Sequence, residues 1–102
     1  MRVNLNKGVL PDMSLEDFMF LYDEKEKTEI RFVGFVGKTS QFDLAIIPTD
    51  RFEGKYLLLN LRSDRFIIFG RDDLEEPGYL EQIFQLSEEE ANELREFLHT
   101  LV

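Results

Sequence analysis

In three segments of the sequence, 32–36, 56–59 and 66–69, apolar residues occupy both faces of the strand that the segment would form. A sheet with a single buried face shows apolar and polar residues in alternation instead. These strands therefore require cover on two sides. One or two helices cover only one face of a sheet, so the other must be closed by barrel curvature, by an N-terminal arm, or by another subunit.

Five segments rich in aromatic and β-branched residues are predicted to form strands. They are residues 17–22, 30–36, 42–47, 55–61 and 65–69. The first two flank a short charged segment and are expected to form a hairpin. All of the connections are too short for the crossovers that parallel strands need, which predicts an antiparallel meander.

The C-terminal residues change from a strand period to a helix period. Ser87 and Glu90 have the spacing of a capping box, in which each side chain accepts a hydrogen bond from the other residue's backbone N–H. An apolar stripe at helical spacing follows, formed by Ala91, Leu94, Phe97, Leu98 and Leu101. We therefore predict an amphipathic helix over residues 88–100. Residues 79–84 are interpreted as a short preceding helix, with a sixth strand as the alternative.

The predicted fold class is α+β. A five- or six-stranded antiparallel meander carries the C-terminal helix, and the sheet is strongly curled if it closes its own second face. Residues 1–16 are interpreted as an irregular N-terminal arm and residues 17–102 as a single domain, which agrees with a length of 102 residues.

The composition excludes several classes of protein. The chain has no cysteine, which excludes disulfides, thiolate metal sites and cysteine nucleophiles. It has no run of about 18 apolar residues and no signal-peptide pattern, so we expect a cytoplasmic protein that does not cross a membrane. The net charge of −9 repels phosphate backbones and makes nucleic acid an unfavourable partner. Acidic residues are concentrated in 72–102, whereas 38–71 is slightly basic.

Two motifs suggest chemistry but are better explained as structure. The Gly-Lys-Thr string at 37–39 resembles part of a phosphate-binding loop, yet Phe32 stands where that loop needs its first glycine, and a strand follows instead of a helix. A turn between strands is the favoured interpretation. His99, the single histidine, falls in the last turn of the predicted helix, where a protonated imidazole complements the helix dipole.

Three aspartates stand out by their positions in the sequence. Asp43 lies within an apolar strand, where a buried carboxylate would be costly. Asp50 and Asp64 lie in turns at strand ends, and a divalent-metal site of a hydrolase is one interpretation of them. Turn stabilisation by their side chains is the better one. No catalytic, cofactor-binding or metal-ligating residue is assigned.

The middle of the sequence interleaves bases with aromatic residues. Sheets that bind single-stranded nucleic acid show this pattern, but core aromatics with basic residues at the rim explain it better here. Arg51 and Phe52 stand out because they fall in a loop, where contact residues are common. The possible contact residues are Arg51, Phe52, Lys55, Arg62 and Arg65.

Several short strings resemble a domain-of-unknown-function family of small cytosolic proteins from Gram-positive Firmicutes bacteria. They lie at residues 21–24, 31–35, 42–44, 49–55, 79–84 and 89–94. The resemblance covers about residues 18–98 and leaves the N-terminal arm outside. It implies a bacterial cytosolic protein, and it supplies no catalytic residues.

The sequence favours a non-enzymatic protein-interaction module that self-associates, most simply as a homodimer. The reasons are the absence of a catalytic pattern and an excess of apolar strand surface. An unknown protein partner is also expected, and no cofactor. Two alternatives remain at this stage: a nucleic-acid-binding or processing protein that uses residues 38–71, and a divalent-metal-dependent hydrolase that uses aspartates.

Overall fold

The computed structural model describes residues 18–102, which form a four-stranded antiparallel sheet followed by three helices. The strands occur in the sheet in the order of the chain, β1-β2-β3-β4, so the predicted α+β meander is confirmed. The strands are β1 (Arg31–Val36), β2 (Gln41–Pro48), β3 (Tyr56–Asn60) and β4 (Arg65–Phe69), and the helices are α1 (Arg71–Glu75), α2 (Tyr79–Phe84) and α3 (Glu88–His99).

The prediction of five or six strands is wrong, because residues 18–30 contain no strand and residues 79–84 form helix α2. The expected hairpin does not form because the segment before β1 contacts the β2–β3 loop instead. The Glu26 carboxylate accepts hydrogen bonds from the Thr49 hydroxyl at 2.8 Å and the Asp50 N–H at 3.1 Å. The Thr28 hydroxyl donates to the Pro48 carbonyl at 2.9 Å. These contacts hold residues 24–28 along the β2–β3 loop, away from β1. The predicted arm at 1–16 lies outside the described residues.

Helix α3 confirms the capping box. The Glu90 N–H donates to the Ser87 hydroxyl at 3.2 Å, and the Ser87 N–H donates to the Glu90 carboxylate at 2.9 Å. The hydrogen bonds from the Ser87 N–H, the Ser87 hydroxyl and the Ser40 hydroxyl hold the pKa of Glu90 below its ordinary value. Three acidic residues in the first turn and His99 in the last complement the helix dipole as predicted.

Helix α1 was missed by the sequence prediction. It has only five residues, of which Leu74 alone is buried, so it shows no apolar period. Its start is stabilised by Asp73, whose carboxylate accepts the Gly70 N–H at 2.8 Å.

The core lies between the helices and one face of the sheet. We call that face of the sheet the inner face. It includes Phe42, Leu58 and Phe69, each at most 2% exposed. The helices contribute side chains that are each at most 3% exposed, namely Leu74, Leu80, Phe84, Ala91, Leu94 and Leu98. Phe35 links the sheet to α3, because its ring centroid lies 5.2 Å from that of Phe42 and 5.1 Å from that of Phe97. The helices thus satisfy one face of the apolar strands.

Candidate interaction surface

The opposite side of the sheet, the outer face, remains apolar and open among the described residues. Strand alternation and register place one row across it, in which Phe32 lies opposite Ala45, Ala45 opposite Leu59, and Leu59 opposite Phe66. None of these side chains belongs to the buried cluster between the sheet and the helices. The outer face comprises Phe32, Gly34, Val36, Gln41, Asp43, Ala45, Ile47, Leu57, Leu59, Phe66 and Ile68. Leu61 continues it just after β3, where its N–H donates to the Asp43 carbonyl at 2.9 Å.

Exposure on the outer face is greatest at its two lateral borders. Phe32 is 72% exposed and Val36 is 79% exposed on β1, and Phe66 is 60% exposed on β4. The strands between them shield one another, so Leu57 and Leu59 are half-buried and Ala45 is buried. Large apolar side chains that are this exposed at both borders of one sheet face are typical of a contact surface.

One ion pair lies on the outer face. Asp43 pairs with Arg62 across 3.7 Å, and both side chains are about half exposed. A fully buried Asp43 would be costly, and the structure leaves its side chain partly in water. Exposed pairs of this kind contribute roughly 0–1 kcal/mol to stability.

The predicted contact residues fall at opposite ends of the sheet. Arg51, Phe52 and Lys55 belong to the β2–β3 loop and line one cleft of about 310 Å³ that Ile68 of the outer face also lines. Arg62 and Arg65 flank the β3–β4 turn at the other end of the strands. The structure therefore brings three of these residues together and separates the other two from them.

Each of the four basic contact candidates has a partner within the chain. Arg51 pairs with Glu24 at 3.1 Å and stacks on the Tyr22 ring, its guanidinium 4.2 Å from the ring centroid. Lys55 pairs with Asp73 at 3.1 Å. Arg62 pairs with Asp43, as described above, and Arg65 donates to the Ile83 carbonyl at 3.3 Å. A binding partner would have to compete with these contacts, which sequence reasoning did not anticipate.

The Gly-Lys-Thr string forms the turn between β1 and β2, as the sequence analysis favoured. Its backbone binds a carboxylate of the same chain: the Lys38 and Thr39 N–H groups donate to Glu93 Oε1 of α3 at 2.6 and 3.0 Å. A Cβ atom on Gly37 would overlap that carboxylate, so this turn requires glycine for close approach. The turn is an attachment point between the sheet and α3.

The aspartates considered as metal ligands do not converge. Asp50 lies in the β2–β3 loop and Asp64 in the β3–β4 turn, and strand β3 separates these two ends of the sheet. Asp64 has a φ of 57°, a conformation that aspartate tolerates in turns. Residues 18–102 contain no group of three or more histidine or acidic side chains that could hold a metal ion.

The segment before β1 adds exposed aromatic surface. Phe20 and Tyr22 are largely exposed, and Phe18 lies 6.5 Å from Phe20 between ring centroids. Hydrogen bonds from the Thr49 hydroxyl and the Asp50 N–H, together with the Arg51 charge, hold the pKa of Glu26 below its ordinary value. The segment is thus fixed at its acidic end, and its aromatic end remains exposed.

Fold and surface together define a class of protein: a small α+β domain whose antiparallel sheet is covered by helices on one side and presents apolar side chains on the other. Within the described part of the chain, no helix is long and apolar enough to cross a membrane. The SAV0927-like family model matches residues 21–100, and the chain belongs to that family. No curated protein matches the chain.

Proposed function

We propose that this protein is a non-enzymatic interaction module that self-associates as a homodimer through the outer side of its sheet. The observation that carries the proposal is the exposure of three large apolar side chains, Phe32, Val36 and Phe66, on one face of the sheet. Burying one such side chain fully contributes about 1.5–3 kcal/mol. Association costs at least about 4 kcal/mol, so a contact that buries several of them supports a weak to moderate dimer.

Charge distribution supports a second copy as the occupant. Two copies with a net charge of −9 each repel one another at long range. The acidic residues of 72–102, however, lie in the helical part of the molecule, away from the outer face. The outer face carries only the Asp43–Arg62 pair, whose charges cancel. Two outer sides can therefore meet without bringing like charges together.

The cytoplasm of a bacterium is the proposed setting. The chain has no cysteine, so its folding needs no oxidising compartment. An unidentified protein partner remains part of the proposal. If two copies contact each other at one border of the outer face, the rest of that face stays exposed and can bind a different protein.

Sedimentation equilibrium tests the proposal with three proteins: the wild type, Phe32→Lys, and Gln82→Lys as the matched control. Gln82 is exposed on α2, on the helix side, so its replacement adds the same charge away from the sheet. We expect wild type and Gln82→Lys to form dimers at micromolar concentration. Phe32→Lys should weaken the dimer by at least about tenfold, which corresponds to about 1.4 kcal/mol.

Two results would overturn the proposal. A wild type that sediments as a monomer of 12.1 kDa at every concentration rules out self-association. A wild-type dimer that Phe32→Lys leaves unchanged rules out the outer side of the sheet as the contact.

A further inference from the structure

The two edge strands of the sheet differ in how their outward backbone groups are used. Beside β4, the Tyr79 hydroxyl of α2 donates to the Ile68 carbonyl at 3.1 Å. Burial, and then the nearby Asp73 and Glu76 carboxylates, raise the pKa of Tyr79, which keeps this hydroxyl protonated as a donor. Within residues 18–102, no other backbone or side-chain group bonds to the outer edge of β1. Within residues 18–102, the outward Ile68 carbonyl of β4 therefore has a partner in the chain, and none of the outward backbone groups of β1 does.

The phase of the β1–β2 ladder identifies the free groups. The Gly37 N–H donates to the Ser40 carbonyl at 2.7 Å, which makes Gly37 and Ser40 a hydrogen-bonded pair. Hydrogen-bonded and non-hydrogen-bonded pairs alternate along an antiparallel ladder, so Phe35 and Val33 are also hydrogen-bonded to β2. The N–H and C=O groups of Phe32, Gly34 and Val36 therefore point away from the sheet.

We propose that β1 pairs antiparallel with β1 of a second copy, with Gly34 on the twofold axis. This inference rests on the proposed function and specifies its geometry. In this register Gly34 lies opposite Gly34 of the partner copy, and Phe32 lies opposite Val36. The pairing forms about six backbone hydrogen bonds and joins two four-stranded sheets into one of eight strands.

Side chains match on both faces in this register. On the outer face it brings together Phe32 and Val36, the two most exposed apolar residues of β1. On the inner face it places Val33 opposite Phe35 of the partner copy, and both residues are half-buried at the border of the core. Arg31 lies opposite Gly37, so no like charges are paired. Cross-strand pairs of aromatic and β-branched residues stabilise sheets.

The edge itself lacks the features that natural proteins use against strand addition. Residues 32–36 contain no proline and no charged side chain. Gly34 lies at their centre, where a Cβ atom would come 3.0 Å from the Asp43 Oδ1 of β2. The absence of a side chain at this position also lets a second backbone approach closely. Packing two outer faces flat against each other would instead dehydrate the Asp43–Arg62 pair, which carries a desolvation cost. Edge pairing leaves that pair in water.

Cysteine cross-linking tests the register directly, because the wild-type chain has no cysteine. In the double variant Phe32→Cys/Val36→Cys, each new thiol faces the other position of the partner copy with Cα atoms about 5.5 Å apart, within disulfide range. The Cα atoms of positions 32 and 36 in one strand are about 13 Å apart. Position 32 is about equally far from position 32 of the partner copy, and position 36 from position 36 of the partner copy, so a disulfide can form between none of these pairs. Each disulfide forms as two thiols are oxidised by glutathione disulfide, which is reduced to two glutathione thiols.

We expect the double variant to form covalent dimers at least about tenfold faster than either single variant or Phe66→Cys on the distant strand β4. Single variants that cross-link as fast as the double variant would overturn the Gly34-centred register. A double variant that fails to cross-link while the wild type sediments as a dimer would overturn edge pairing and leave the proposed function standing. A monomeric wild type would overturn both.

A second pair of variants distinguishes a dimer that pairs at the β1 edge from a dimer that packs through the outer face. Val36→Pro removes an N–H that points outward, so it costs β1 no hydrogen bond to β2, whereas it blocks strand addition. Phe66→Lys changes the outer face far from β1. Edge pairing predicts that Val36→Pro sediments as a monomer and Phe66→Lys as a dimer, and the reverse result contradicts it. A chain that dimerises only after residues 1–17 are deleted would show that its own N-terminal residues occupy the edge, which also overturns the inference.

Discussion

The two faces of the sheet are built from similar residues and have opposite environments. On the inner face, Leu58 and Phe69 are fully buried under the helices. On the outer face of the same strands, Leu59 is half-buried and Phe66 is largely exposed. Composition therefore does not distinguish the core from the contact surface in this molecule. The difference lies in what covers each face: helices of the same chain on one side, and on the other a surface that we assign to a second copy.

This comparison separates stability from function. A side chain on the inner face contributes to folding, because its exposure to water changes when the chain folds. A side chain on the outer face contributes little to folding of the monomer, and the outer-face side chains of β1 contribute to association instead. Substitutions on the inner face should therefore change the free energy of unfolding, and substitutions on the outer face of β1 should change the mass of the protein in solution.

The largest expected effect is on the inner side. Leu94→Ala removes a fully buried side chain from α3, and we expect a loss of about 2–5 kcal/mol in the free energy of unfolding. Leu61→Ala is the matched control, since Leu61 is about half exposed on the outer face and should lose no more than about 1 kcal/mol. Urea unfolding followed by circular dichroism measures both. Equal losses would mean that the two faces do not differ as described.

The attachment of the β1–β2 turn to α3 should give the next largest effect. Glu93→Ala leaves the Lys38 and Thr39 N–H groups without their carboxylate acceptor, and we expect a loss of about 1–3 kcal/mol. Glu96→Ala, on an exposed position of the same helix, is the control and should change stability little. If the two substitutions have the same effect on the urea midpoint, Glu93 does not hold the turn.

The capping box gives a smaller effect that depends on pH. Ser87→Ala should cost about 0.5–2 kcal/mol near neutral pH through loss of the cap. The folded state holds the pKa of Glu90 below its ordinary value of 4.5, so the Glu90 carboxylate stabilises the fold above that pH. This stabilisation is lost as the pH falls through the lowered pKa.

The Glu90→Gln variant isolates that pH dependence, because glutamine still accepts the Ser87 N–H and does not titrate. We expect its stability to fall less steeply than that of the wild type between about pH 5 and pH 3. Melting temperatures across this range test the prediction. Parallel curves for the two proteins would show that Glu90 does not contribute.

The smallest expected effect on folding is on the outer face. Phe66→Lys should change the free energy of unfolding by no more than about 0.5 kcal/mol when measured on the monomer, because Phe66 is already 60% exposed. A destabilisation of several kcal/mol would show that Phe66 packs within the folded monomer, and the outer face would then be part of its core.

The sequence pattern predicted those strands and helices whose formation depends mainly on residues close together in the chain. The strand segments beginning near Arg31, Gln41, Tyr56 and Arg65 were recognised from β-branched and aromatic runs between turns. Helix α3 was recognised from its cap and its apolar period. The apolar pattern on both strand faces also predicted that helices would cover only one of them.

What the sequence did not reveal depends on contacts between distant residues. Residues 18–22 have the composition of a strand, but strand formation requires a neighbour, and the contacts of Glu26 direct the chain elsewhere. The hydrogen bonds between Glu93 and the β1–β2 turn join residues that are far apart in the sequence. Thr39 is 54 residues from Glu93, and Lys38 is 55 residues from it. The pairing of Arg51 and Lys55 with acidic residues is equally invisible to a local pattern, so basic residues seemed available as contacts when they are engaged.

Amide hydrogen exchange of β1, measured by nuclear magnetic resonance at low and high protein concentration, tests the central claim most directly. In the monomer, no group of residues 18–102 accepts a hydrogen bond from the outward N–H groups of Phe32, Gly34 and Val36, so they should exchange fast, whereas those of Val33 and Phe35 are held by β2. We predict that raising the concentration slows exchange at the three outward amides and leaves the core amides of β3 unchanged. Exchange rates along β1 that are the same at both concentrations would contradict the pairing of β1 with a second copy.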